Sequence, residues 1–194
     1  MTIRRDLQEL EDRGKFTRIH GAATINSLSP QKISHNEKRK RNISAKKIIA
    51  QHIHNDETIF IGAGTTLELI YNYLKIDRAK IITNSIHVFN RFRHDERFEL
   101  ILVGGNYRPV SGAFVGTLVN DFIDKIKVQK AFIGVNGIYE NGVYNANEDE
   151  GLTNYHILNS ASERYVVADT SKLDKQDFYM FYNLDDLTQV ITEC

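Results

Sequence analysis

Five short apolar runs recur between helix-like segments across residues 58–168, and that alternation limits the possible folds more than any other feature of the chain. The runs are 58–61, 80–83, 99–103, 130–135 and 164–168, and the helical candidates between them are 65–74, 86–92, 116–126 and 154–162. Apolar runs without strict alternation predict strands covered on both faces, and strands interleaved with helices predict a largely parallel sheet. The expected body is an α/β domain over residues 55–194, a mostly parallel sheet flanked by helices. With 194 residues, 41% of them hydrophobic, the chain can bury one such core and still carry a small appendage.

The appendage reads differently. In residues 2–13, Ile3, Leu7 and Leu10 recur at helical spacing and Gly14 caps the segment. Residues 15–20 then alternate like a strand that Gly21-Ala22-Ala23 closes, so 1–23 looks like the recognition helix and wing of a partial winged helix-turn-helix. Residues 24–30 read as a linker and 34–54 as a connecting helix, so that 24–54 joins head to body. Charge divides the same way. The first fifty residues hold twelve Lys/Arg against five Asp/Glu, and the remainder carries an equal excess of acid, so the whole chain is neutral. A basic stripe beside a helix-turn-helix fragment attracts the phosphate backbone of DNA.

Several classes fall away. No apolar run nears the roughly 20 residues that cross a bilayer, and the charged start is no signal sequence, which predicts a cytoplasmic protein without membrane partners. The one cysteine, Cys194, gives no disulfide framework. The seven histidines lack ligand spacing, so neither a metal nor another cofactor is expected.

The clearest chemical signal is Gly62-Ala63-Gly64-Thr65-Thr66, where a strand ends in a Gly-x-Gly turn and opens into a helix. Backbone N–H groups and two hydroxyls there form an anion cradle. It lacks the lysine of a nucleotide-binding loop and the third glycine of a dinucleotide fingerprint, so a small phosphate ester fits better than a nucleotide. Three further polar turns follow strands: Thr83-Asn84-Ser85, Gly104-Gly105-Asn106 and Gly134-Val135-Asn136-Gly137. Ligands of open α/β sheets gather beyond the carboxyl ends of strands, so these turns predict one pocket. In the run Glu148-Asp149-Glu150, a carboxylate could bind sugar hydroxyls or act as a base, and Lys172 could pair with phosphate as a point charge.

Assembled, these residues resemble the DeoR family of bacterial sugar-metabolism regulators over essentially the whole chain. The resemblance rests on Thr2-Ile3-Arg4-Arg5-Asp6-Leu7, Gly14-Lys15-Phe16-Thr17-Arg18-Ile19-His20-Gly21-Ala22, the 62–66 turn, Thr83-Asn84-Ser85, Val103-Gly104-Gly105, Phe114-Val115-Gly116 and Ala168-Asp169-Thr170-Ser171-Lys172. It implies a winged-helix repressor whose body has the fold of sugar-phosphate isomerases and coenzyme A transferases and senses a phosphorylated sugar. Thr2, Arg4 and Arg5 would then face DNA, with Arg18 and His20 on the wing. Effector contacts would come from Gly62, Ala63, Gly64, Thr65, Thr66, Thr83, Asn84, Gly104, Gly105, Asn136, Asp149, Glu150 and Lys172. Within the family, Ile33-Ser34-His35 with Glu37-Lys38, Ala113-Phe114-Val115-Gly116 and Lys175-Gln176-Asp177-Phe178 with Leu184 resemble the lactose phosphotransferase-system repressors, whose effector is tagatose 6-phosphate.

The chain departs from the family pattern in two places. The family pattern usually follows the acidic pair with alanine and a later basic residue, whereas Gly151 and Asn154-Tyr155 stand here. The family's head also begins with two helices ahead of the recognition helix, whereas Met1 immediately precedes Thr2. A recognition helix presents its arginines only when its apolar side packs on those helices. The expectation is an N-terminally truncated head and weak or absent operator binding by this chain, operator DNA being a partner of the full-length parent. Helix-turn-helix readers bind paired half-sites, which predicts a homo-oligomer. The rival reading is a sugar-phosphate isomerase with Asp149 or Glu150 as base; the basic head favours a non-enzymatic repressor.

Overall fold

Successive side chains of a strand point to opposite faces, and this chain fills both. The structure, a computed structural model, describes residues 16–19, 22–25 and 43–192, with the backbone alone for 16–19, 22–25 and Ile43. Two compact units divide at residue 34. In the first, β1 (Phe16–Ile19) pairs antiparallel with β2 (Ala22–Ile25), Phe16 opposite Ile25 and Ile19 opposite Ala22. The expected strand at 15–20 is there as β1. The reading of 22 and 23 as its close and of 24 onward as linker is corrected, because pairing continues through Ile25.

The second unit is built on six parallel strands in the order β13-β11-β8-β3-β4-β5. They are β3 (Thr58–Ile61), β4 (Ala79–Thr83), β5 (Phe98–Leu102), β8 (Val128–Gly134), β11 (Ala161–Ala168) and β13 (Gln189–Thr192). Counted along the chain this is the doubly wound order 3-2-1-4-5-6, whose direction of growth reverses between β3 and β8. The helices are α1 (Ile43–Gln51), α2 (Thr65–Leu69), α3 (Ile86–Phe92), α4 (Thr117–Ile123) and α5 (Glu148–Asn159).

Strand alternation sorts the core into two layers. Ile59, Ile61, Ile81, Phe132, Tyr165 and Val167 pack with Ala45 and Ile49 of α1, Leu67 of α2, and Val88 and Phe92 of α3. Phe60, Ile82, Ala131, Ile133, Val166 and Ala168 pack on the other face with Val119 and Ile123 of α4 and Ile157 and Leu158 of α5. Phe132 and Tyr165 are register partners and their rings stack at 4.7 Å. α1 therefore contributes core side chains to this unit.

Smaller pieces complete it: the hairpin β6 (Asn106–Arg108) and β7 (Ala113–Val115), and an antiparallel sheet of β9 (Gly137–Tyr139), β10 (Gly142–Asn145) and β12 (Tyr179–Asn183). Four helix bounds differ from the sequence reading, and the helix expected at 34–54 already ends at Gln51. The helix at 65–74 is α-helical for five residues and continues as a 3-10 helix, Ile70–Tyr73. The helix at 116–126 shortens to α4. The helix at 154–162 instead starts six residues earlier, because Asn147 caps it, and stops at Asn159, with Ser160 as its C-cap before β11 begins at Ala161.

Candidate functional site

The parallel sheet places the turns after β3, β4, β5, β8 and β11 along one edge, the carboxyl edge. Its centre is the reversal between β3 and β8, where no crossover helix covers the strand ends. There Gly62 N–H donates to Phe132 O at 2.8 Å. A Cβ on Gly134 would stand 3.0 Å from Ala63 O and 3.8 Å from Gly64 Cα, so the turns after β3 and β8 lie against one another and need glycine to do so. Gly62 is buried, Ala63, Thr65 and Thr66 are half-buried, and Gly64 is exposed at φ +156. α2 spans only five residues, so its helix dipole adds little at this turn.

The neighbouring turns are placed by backbone bonds. Thr83 is fully buried and its Oγ1 accepts from Ser85 N–H at 3.0 Å; Ser85 Oγ in turn accepts from Val88 N–H and starts α3. Asn84 is buried, accepts at its backbone O from Phe114 N–H of β7, and donates Nδ2 to Phe114 O at 2.9 Å. Its Oδ1 has no partner. Asn136 is half-buried and donates its N–H to Tyr144 O. Next door, Asn145 ends β10 buried, again with an unpartnered Oδ1.

Gly104 and Gly105 sit farther out, after the edge strand β5, and they differ. A Cβ on Gly104 would meet nothing within 4 Å, whereas one on Gly105 would press 2.5 Å from Val119 Cγ2 and 2.9 Å from Val115 O. Lys172 lies two strands away from β3 on the other side, in the 3-10 turn Thr170–Lys172, on a segment that returns to β9 through Lys175 N–H to Ile138 O.

The acidic run forms the first turn of α5. Asp149 is exposed. Glu150 is held from three sides: Oε1 accepts from Arg108 Nε at 3.1 Å and Ser111 Oγ at 2.5 Å, and Oε2 accepts from Asn147 Nδ2 at 3.0 Å. Its own N–H donates to Asn147 Oδ1. His156, the nearest histidine, is tied through Nδ1 to Asp124 Oδ1 at 2.7 Å, nearly two turns along the helix. Arg108, Ser111, Asn145 and Asn147 were not singled out from sequence. Only Asn147 left a signal there, as an N-cap residue three positions before a glutamate.

Among the described residues no group of three His, Cys, Asp or Glu is arranged to hold a metal, and no helix is long and apolar enough to cross a membrane. A shallow depression of about 530 Å³ lined by Tyr155, Arg164 and Tyr182 lies toward the far end of α5 and contains none of the candidate residues. Thr2, Arg4, Arg5 and His20, with the helix expected at 2–13, lie outside the described residues, and Arg18 is described by its backbone in β1 alone.

A doubly wound sheet with glycine turns meeting at its reversal point defines an α/β domain of the sugar-phosphate-isomerase-like fold. Two solved structures agree at the level of fold. The δ subunit of eIF2B from Chaetomium thermophilum superposes with TM-score 0.54 and 13% identity over 80% of this chain and 57% of that one, and the β subunit with TM-score 0.53 and 12% identity over 76% and 49%. Ribose 5-phosphate isomerase A from Methanocaldococcus jannaschii aligns at TM-score 0.45 and 17% identity over 72% and 55%. This chain thus spans about half the length of those solved chains. The DeoR C terminal sensor domain matches residues 35–194 and the DeoR-like helix-turn-helix domain residues 1–29, so the chain belongs to the DeoR family. It is 39% identical to the lactose phosphotransferase system repressor of Streptococcus mutans and 36% identical to that of Staphylococcus aureus, over all of this chain and 80% of each relative.

Proposed function

We propose that the chain is a repressor of a lactose phosphotransferase operon, whose α/β domain binds a phosphorylated sugar at the carboxyl edge of its sheet. The observation that carries the reading is the meeting of the Gly62–Gly64 turn with Gly134 at the strand-order reversal, the point of a doubly wound sheet where ligands gather. The proposed contacts are Gly62, Ala63, Gly64, Thr65, Thr66, Thr83, Asn84, Gly104, Asn136, Asp149 and Lys172, with Gly105 and Glu150 acting through the residues they support. Thr2, Arg4, Arg5, Arg18 and His20 face operator DNA in this reading, and the repressor works as a cytoplasmic homo-oligomer. Occupancy shifts the balance between two arrangements that differ in DNA affinity.

The relatives' names support lactose metabolism, and tagatose 6-phosphate is the effector proposed. Turnover as an isomerase has less support: Glu150 is fully engaged and His156 points its ring nitrogen to Asp124. The test is a thermal-shift titration. At 100 times its dissociation constant, a ligand adds about 2.7 kcal/mol, or about 5–10 °C for a domain of this size. Tagatose 6-phosphate should raise the melting temperature by that amount and free tagatose should leave it unchanged. No shift with any sugar phosphate would overturn the reading, and conversion of tagatose 6-phosphate by the protein would replace it with the isomerase.

A further inference from the structure

The cradle at 62–66 supplies N–H groups and hydroxyls but no cation, although a phosphate ester carries up to two negative charges. The structure offers one from an unexpected element. Arg108 ends β6, its side chain is a third exposed, and only Nε is bonded, to Glu150 Oε1 at 3.1 Å. Among the described residues, Nη1 and Nη2 make no hydrogen bond. Glu150 cannot swing away, because Ser111 and Asn147 hold both its oxygens. The guanidinium is thereby fixed at one edge with its outer donors uncommitted, the arrangement that suits planar, bidentate recognition of an oxyanion.

Topology puts this pair at the crevice. The hairpin carrying Arg108 is fastened over the end of β4, through Phe114 to Asn84 and through Ile86 N–H to Gly112 O. The helix carrying Glu150 follows β8 by way of β9 and β10. β4 and β8 are the two strands that flank β3, which bears the cradle. On the same edge, Asn84 and Asn145 keep buried carbonyl oxygens without donors, and an unmatched buried acceptor is costly until a donor arrives. An anionic group for Arg108 and hydroxyl donors for the two asparagines describe a polyol phosphate.

We infer that Arg108 contacts the phosphate of the bound sugar and that Glu150 is its positioning residue, not itself a contact. This rests on the sugar-phosphate reading above and deepens it. Binding of tagatose 6-phosphate to the full chain, measured by calorimetry, tests it with Arg108→Gln, Arg108→Lys, Glu150→Gln and the double variant Arg108→Gln/Glu150→Gln. The expected loss of affinity is at least about 30-fold for Arg108→Gln and about 10-fold for Arg108→Lys, which keeps the charge but not the fork. Glu150→Gln should lose about 3- to 10-fold. The double variant should bind no worse than Arg108→Gln, because a residue that acts through Arg108 adds nothing once Arg108 is gone. Wild-type affinity in a folded Arg108→Gln would overturn the inference while leaving the proposed function standing. Independent, multiplying losses in the double variant would overturn the positioning role. If Arg108→Gln does not fold, Arg108→Lys decides: unchanged affinity refutes the contact. Failure of the wild-type protein to bind any sugar phosphate would sink both this inference and the reading it rests on.

Discussion

Single residues separate what a motif suggests from what an atom can do. The run Glu148-Asp149-Glu150 reads as three equivalent carboxylates, yet Asp149 faces solvent while Glu150 is wired into the hairpin. No local pattern distinguishes them, because the distinction is made by Arg108 and Ser111, about forty positions away in the chain. The Gly104-Gly105 pair splits likewise. Gly105→Ala should destabilise by about 1–3 kcal/mol, since the new methyl meets Val119 and the Val115 carbonyl, whereas Gly104→Ala should be near neutral. Denaturant melts of the two variants check this. Gly151 is explained by packing: a Cβ there would stand 2.4 Å from the Tyr179 ring. Gly151→Ala should therefore cost about 1–3 kcal/mol despite alanine's better helix propensity, and Tyr179→Val should recover much of the loss in the double variant.

At the scale of elements, strands formed by continuous apolar runs between helices were readable, and those that mix apolar residues with glycine, asparagine and tyrosine were not. β3 lies at the expected 58–61, and β4, β5, β8 and β11 fall within a few residues of their runs. The hairpin β6–β7 and the sheet β9-β10-β12 escaped because their strands either run for only three residues or break the apolar run with Gly142, Asn145, Tyr179 or Asn183. Asn136-Gly137 looked like a turn, and its glycine in fact opens β9. The connection from α3 to β5 is another element whose logic is side-chain pairing. Asp95 accepts from Arg97 and from Tyr71 Oη at 3.0 Å, and the Arg97 hydrogen bonds hold its pKa down to about 2. A carboxylate depressed in the folded state stabilises above its unfolded value near 4, and the contribution is lost as pH falls from there toward 2. Asp95→Asn should cost about 1 kcal/mol at neutral pH, a discounted figure because the pair is close to water, and should flatten the acid limb of the stability curve between pH 4 and 2. Chemical denaturation at a series of pH values measures both.

For the whole molecule, the alternation of runs was enough to anticipate a parallel, helix-flanked sheet and the edge on which its polar turns gather. It could not give the strand order, which depends on which faces the crossovers choose, and therefore could not say that β3 and β8 meet at the reversal. The packing of α1 was equally hidden, since its partial apolar face reads like that of a connecting helix. Ala45 and Ile49 are fully buried in the layer shared with α2 and α3. Ile49→Ala should lower stability by about 2–5 kcal/mol and shift the whole cooperative transition, as seen by calorimetry, because it opens a cavity in the common core. The hairpin between β5 and α4 has the opposite character. It docks on the β4 turn chiefly by main-chain bonds, which any sequence can make, and reaches α5 through the side chains of Arg108 and Ser111. If Arg108 contacts the effector as proposed, residues 104–116 together with position 150 would act as a cassette whose exchange retunes one scaffold to other metabolites without redrawing its sheet.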